Sequence, residues 1–135
     1  SIEQSIALLD EDYRPYMVRG DIYYSIGDYE RADAKGYSKA VNIRPDMKNG
    51  WRKLAKVYRS QDKTELLVMA LSRILEIDSE DENALWERAE CHFNAKKLGD
   101  SMGDIHRLLA INPGNQDARK FKARILEKLD TREWD

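Results

Sequence analysis

The chain has 135 residues, enough for one ordinary domain, and its charged content of 36% suits a thin structure with much surface. A formal net charge of -2 argues against a surface built for phosphate backbones, which needs a positive field. The longest apolar run, from Leu66 to Leu71, is far shorter than the roughly 20 residues a membrane-crossing helix needs, so no membrane partner is expected. Taken in order, Ser1 to Asp10 reads as a helix with Ile2, Ile6 and Leu9 on one stripe. Leu8 precedes Tyr16 as Ile43 precedes Trp51 and Ile77 precedes Leu85, so residues 1–12 are expected to be the second helix of a truncated preceding repeat. On that expectation the chain is a piece of a longer array. Its first residues show no basic, apolar and small-residue sections of a secretory signal, which gives a cytoplasmic reading, with the nucleus as the other compartment.

Residues 13–47 form the first complete unit. Pro15 suits a first helical turn, the helix runs to about Ile26, and Gly27 and Asp28 make the turn. A second helix runs from Tyr29 to about Ile43 and stops before Pro45. Residues 48–81 are the next unit, with its turn at Gln61 to Lys63. Residues 82–115 are the third, closing on Asn112, Pro113, Gly114 and Asn115. Gly99, Ser101 and Gly103 in its second helix are expected to let neighbouring helices approach closely. In residues 116–135 a helix to about Asp130 carries Ala118, Phe121, Ile125 and Leu129 on one face, as a capping or next first helix, and Trp134 lies in the tail.

These units repeat at a fixed period. Trp51, Leu54, Ala55, Tyr58, Leu67, Leu71, Ile74 and Ile77 recur 34 positions later as Leu85, Arg88, Ala89, His92, Ser101, Ile105, Leu108 and Ile111. Tyr37, Ala40 and Ile43 also lie 34 positions before their counterparts, whereas Tyr16, Gly20, Tyr23 and Ala32 need a step of 35. One extra residue therefore sits between Ala32 and Tyr37, within Ala34 to Gly36. An insertion inside a helix turns every later side chain by about 100 degrees unless the helix widens there, so a bulge or kink is expected.

A helix-turn-helix unit of about 34 residues with these columns resembles the tetratricopeptide repeat family. The bulky opener is Tyr16, Trp51 and Leu85; the small residue is Gly20, Ala55 and Ala89; the aromatic column is Tyr23, Tyr58 and His92; the closing column is Pro45, Ser79 and Pro113. Arg19 and Arg88 depart from the pattern, standing where the family favours Leu, as at Leu54. The resemblance covers nearly the whole chain. It implies an all-α, antiparallel helix-pair solenoid, a right-handed superhelix of about seven to eight helices, whose first helices line a concave groove. It implies a protein-interaction scaffold or adaptor within a multiprotein complex, with no catalytic residues, no cofactor and no metal.

In this family the residues at i, i+4 and i+7 of each first helix look into the groove. Here they are Met17, Asp21 and Tyr24; Arg52, Lys56 and Arg59; and Trp86, Glu90 and Phe93. Arginine beside aromatic residues is the usual stuff of binding hot spots, and the mixture suggests a peptide ligand with an acidic residue flanked by bulky apolar ones. The same columns can also satisfy one another, Lys56 between Asp21 and Glu90, Arg52 between Met17 and Trp86, and Arg59 between Tyr24 and Phe93. A subset of the family clamps the C-terminal carboxylate of heat-shock chaperones with a Lys and an Asn in the first groove helix. None of Met17 with Asp21, Arg52 with Lys56, or Trp86 with Glu90 supplies that pair, which argues against a chaperone tail as partner.

Cys91, the lone cysteine, excludes an internal disulfide and fits a reducing compartment. Neither it nor the adjacent His92 has neighbours at metal-ligand spacing, and both are expected in the core. His106 stands alone on an outer face. Three rival readings stand beside the scaffold: an RNA-binding helical repeat, which the acidic balance disfavours, the substrate-recruiting arm of a larger enzyme, and self-association through the N-terminal half-repeat or the last helix.

Overall fold

The computed structural model describes residues 12–132, and within them every regular element is helical. The helix expected over Ser1 to Asp10 and the residue Trp134 lie outside the described residues. Seven helices follow one another: α1 (Arg14–Ser25), α2 (residues 29–43), α3 (Lys48–Ser60), α4 (Thr64–Ile77), α5 (Glu82–Asn94), α6 (Leu98–Ile111) and α7 (Gln116–Arg132). The chain divides into two compact units that part within α4, between Arg73 and Ile74.

In the first unit, α1 opens with Pro15 in its first turn, where a missing donor leaves no bond unmade. It ends at a turn whose Gly27 takes a φ of +80°, a conformation open to glycine at no steric cost. Asp28 then caps α2, its side chain accepting from the Arg31 amide at 3.2 Å. The extra residue is absorbed inside α2. Between α-helical Tyr29–Arg31 and Ser38–Ile43, the segment Ala32–Tyr37 is π-helical, so one residue is added without breaking the helix.

That widened turn presses α2 against α1. A methyl built on Gly36 would lie 2.5 Å from the Gly20 backbone nitrogen and 3.0 Å from the Tyr16 carbonyl oxygen, and one on Gly20 would meet the Tyr37 ring at 2.5 to 2.9 Å. The helices touch here through backbone, and only glycine fits. In α3, Leu54, Ala55, Val57 and Tyr58 are buried, and the Trp51 indole donates to the Pro45 carbonyl at 2.8 Å, tying the opening of this helix to the residue that stops α2.

Helix α4 buries Leu67, Ala70, Leu71 and Ile74, while Ile77 at its end is 40% exposed. In the second unit Asp81, itself buried, caps α5 through the Ala84 amide at 3.0 Å, and Asn115 caps α7 through the Ala118 amide at 3.1 Å. The core is Leu85, Ala89, Leu98, Ile105, Leu108, Ala118, Phe121 and Ile125, supplied by α5, α6 and α7. The close approach expected around Gly99 and Gly103 is absent. A methyl at Gly99 would meet nothing within 4 Å, and one at Gly103 only the Arg107 side chain at 3.7 Å. Ser101 is the member of that trio at a packed seam, donating to the Ala89 carbonyl at 2.8 Å.

Candidate partner-binding site

Helices α1 and α3 carry six of the nine expected groove residues. Met17, Tyr24 and Arg52 are half-buried, and Asp21, Lys56 and Arg59 are exposed. Asp21, Tyr24 and Lys56 come together around a concavity of about 160 Å³, joined by Tyr37 of the π-helical segment and by Lys53. Asp21 is tied twice through Oδ1, by the Tyr37 hydroxyl and by Lys53 Nζ at 3.3 Å. The expected partner of Asp21 was Lys56; the lysine three residues earlier takes it instead.

Lys56 Nζ stands over the Tyr24 ring, 5.4 Å from its centre. The ring is held by Tyr29, 5.3 Å away and tilted by 58°, and by contact of its hydroxyl with Ser60 Oγ at 3.5 Å. Behind this surface Tyr58 donates to Asp33 at 3.4 Å, and Ser38 donates to the same carboxylate oxygen. Burial, followed by the hydrogen bond and charge of Asp21, pushes the Tyr37 phenol well above its usual range. Burial, followed by the Asp33 charge, raises that of Tyr58. Both rings thus stay neutral donors at ordinary pH.

In the second unit the other three residues are arranged differently. Glu90 is exposed, whereas Trp86 and Phe93 are half-buried and each sets its ring 5.3 Å from Phe121 of α7. The Arg124 guanidinium of α7 lies over the Phe93 ring, 5.0 Å from its centre. These two aromatics therefore spend part of their surface on the core of their own unit.

The departure at Arg88 also has a partner. Its guanidinium forks onto Asp104 of α6, Nε at 2.8 Å and a terminal nitrogen at 2.6 Å, on a carboxylate only 1% exposed. Arg107 adds a bond at 2.9 Å and His92 Nε2 stands 3.8 Å away. The hydrogen bond to Asp104 raises the Arg88 pKa further. Among the described residues no group of three or more His, Cys, Asp or Glu could hold a metal ion.

Sequence reasoning missed Tyr37 and Lys53. Tyr37 shares a column with Leu71 and Ile105, both buried, and so reads as core. Lys53 lies one position outside the expected i, i+4, i+7 face. Neither carries a signal of its own, since the π-helical turn absorbs the insertion and leaves Tyr37 in its column.

The same fold occurs in solved structures. The first repeat domain of Spaghetti (RPAP3), bound to the HSP90 peptide SRMEEVD, superposes with a TM-score of 0.71 over 87% of this chain and 93% of that one, at 20% identity. The chain has the tetratricopeptide-repeat fold. The MamA protein is similar as well, with a TM-score of 0.76 over 87% of this chain and 63% of that one, at 20% identity. In sequence, protein unc-45 homolog B of Homo sapiens is 31% identical over an alignment of 121 positions that covers 82% of this tetratricopeptide-repeat chain and 12% of that protein. The chain thus spans about one eighth of that relative's length. No family model matches the sequence.

Proposed function

We propose that this tetratricopeptide-repeat chain is a non-catalytic, cytoplasmic adaptor that holds an extended peptide segment of a protein partner on the faces of α1 and α3. The observation that carries the reading is the concavity between α1 and α3, where lysines and a tyrosine ring are presented on packed helices. Side chains held by their own neighbours lose little freedom on binding, which is the property a recognition surface needs. The ligand favoured by this chemistry carries an acidic side chain with bulky apolar neighbours. Changing Arg59 to Glu reverses one exposed charge of that surface. The variant is expected to keep its helicity by circular dichroism and to lose most partner recovery in a pull-down from cell extract. Retained recovery moves the site elsewhere.

A second reading is favoured by the likeness to the RPAP3 domain, which holds an HSP90 peptide. Met17 and Asp21 do not provide the lysine and asparagine of a chaperone-tail clamp. The peptide SRMEEVD is therefore expected to give no saturable signal in a calorimetric titration. Saturable binding competed by partner would replace the internal-segment reading with the chaperone-tail one.

A further inference from the structure

We propose that the hollow between α1 and α3 is a receptor for a single side-chain carboxylate of a bound peptide, with Lys56 receiving it and Tyr37 as the positioning residue. The proposal rests on the peptide-binding reading above and names what that surface selects.

The concavity is lined by two lysines and one aspartate. Were Asp21 free to move between Lys53 and Lys56, its charge would screen both. It is not free: the Tyr37 hydroxyl and Lys53 Nζ meet at its Oδ1, so the carboxylate is pinned to the Lys53 side. Among the described residues Lys56 has no carboxylate partner, and its ammonium lies over the Tyr24 ring. One cation is thus presented beside a neutral aromatic face, in a hollow of about 160 Å³. A water takes up roughly 30 Å³ of liquid, so a carboxylate and part of its aliphatic stem fit. The aromatic face suits the stem and the ammonium suits the head.

The pin depends on the face that Tyr37 keeps. Tyr37 is the last residue of the π-helical segment, whose wider turn absorbs the inserted residue and leaves Tyr37 in the column of Leu71 and Ile105. Gly36, which would strike the Gly20 backbone if it bore a methyl, is the spacing that lets α2 come close enough for the phenol to reach Asp21. Glycine pair and phenol thus serve one arrangement, and the carboxylate they hold decides the charge left on the surface.

The test uses the chain as it stands and two arrayed decapeptide libraries, with a central Glu between Phe and Leu in one and Gln in its place in the other. Wild type is expected to prefer Glu by about five- to tenfold, the range of a single solvent-accessible charged hydrogen bond. Lys56→Gln, an exposed substitution, is expected to bring the ratio to about one. Tyr37→Phe is expected to lower the ratio with helicity retained, because Asp21 then keeps only the Lys53 contact and can turn toward Lys56. Asp21→Asn is expected to raise the preference. A merely structural Tyr37 would lower binding of both libraries alike. Equal binding of Glu and Gln peptides by wild type, or an undiminished ratio in Lys56→Gln or Tyr37→Phe, overturns the carboxylate receptor and leaves peptide binding standing. Failure of both libraries to bind overturns the receptor and the peptide reading together.

Discussion

Single residues decide where this chain tolerates change. Gly36 and Gly99 are both helical glycines, yet a methyl at Gly36 would run into the Gly20 backbone and the Tyr16 carbonyl, while at Gly99 it would meet open space. Backbone cannot yield as a side chain can. Gly36→Ala is therefore expected to lose about 3 kcal/mol or more in urea unfolding, at the upper end of overpacking effects. Gly99→Ala should instead gain up to about 1 kcal/mol from helix propensity. Similar effects at the two sites would show that α1 and α2 do not touch as described. The Arg88 and Asp104 pair makes the second case. Removing Arg88 alone leaves a carboxylate that is 1% exposed without its forked partner, a loss of about 3 kcal/mol for Arg88→Leu. Replacing both by Leu removes the buried charge and its partner together, and the double variant is expected to recover most of that loss. A thermodynamic cycle measured by denaturation checks it; additive losses would mean the pair is not coupled.

Elements were legible in the sequence wherever a periodic stripe met a stop signal. The turn at Gln61 to Lys63, the end of α6 before Pro113 and the start of α7 at Gln116 all follow from hydrophobic period and breakers. The comparison of columns placed the inserted residue within Ala34 to Gly36, and the π-helical segment Ala32–Tyr37 contains that stretch. What stayed hidden were contacts between residues 16 positions apart, Tyr37 with Asp21 and Arg88 with Asp104, since only packing brings them together. A trace of the second exists. Arg88 replaces the Leu54 type, Asp104 replaces the Ala70 type, and two opposite charges at buried columns of one unit complement each other. The turns carry a further regularity that composition conceals. Gly27, Asp62 and Lys96 occupy the same place in three units and all have positive φ, at +80°, +55° and +62°. Two of them are thus side-chain-bearing residues in a region that disfavours a Cβ by roughly 1 to 2 kcal/mol. Glycine relieves that strain and adds some freedom to the unfolded chain, so Lys96→Gly is expected to stabilise by about 0.5 to 1 kcal/mol in the urea midpoint. A loss would mean that the Lys96 side chain contributes a contact outweighing the strain.

At the scale of the whole molecule the two units differ in how they should respond to alkali. All seven tyrosines lie between Tyr13 and Tyr58, within the first unit, and the second has none. Two of them, Tyr37 and Tyr58, are buried and have phenols raised above their ordinary value, the first by burial and then Asp21, the second by burial and then Asp33. An ordinary phenol ionises near pH 10, so the unfolded chain releases these two protons first while the folded chain keeps them. With fewer protons bound in the unfolded state, unfolding free energy falls as pH rises. The stability held by the neutral phenols is complete below about pH 10 and is lost from there upward, toward the higher folded values. The urea midpoint is expected to drop between pH 8 and pH 10.5, and Trp51 in the first unit against Trp86 in the second provides the local readout through single-tryptophan variants. Tyr37→Phe with Tyr58→Phe removes both ionisable groups and keeps both rings, so that variant should begin less stable at pH 8 and lose less over the same interval. An unchanged pH slope in the double variant would assign the alkaline loss to other groups and remove the buried phenols from the account of how the first unit is held.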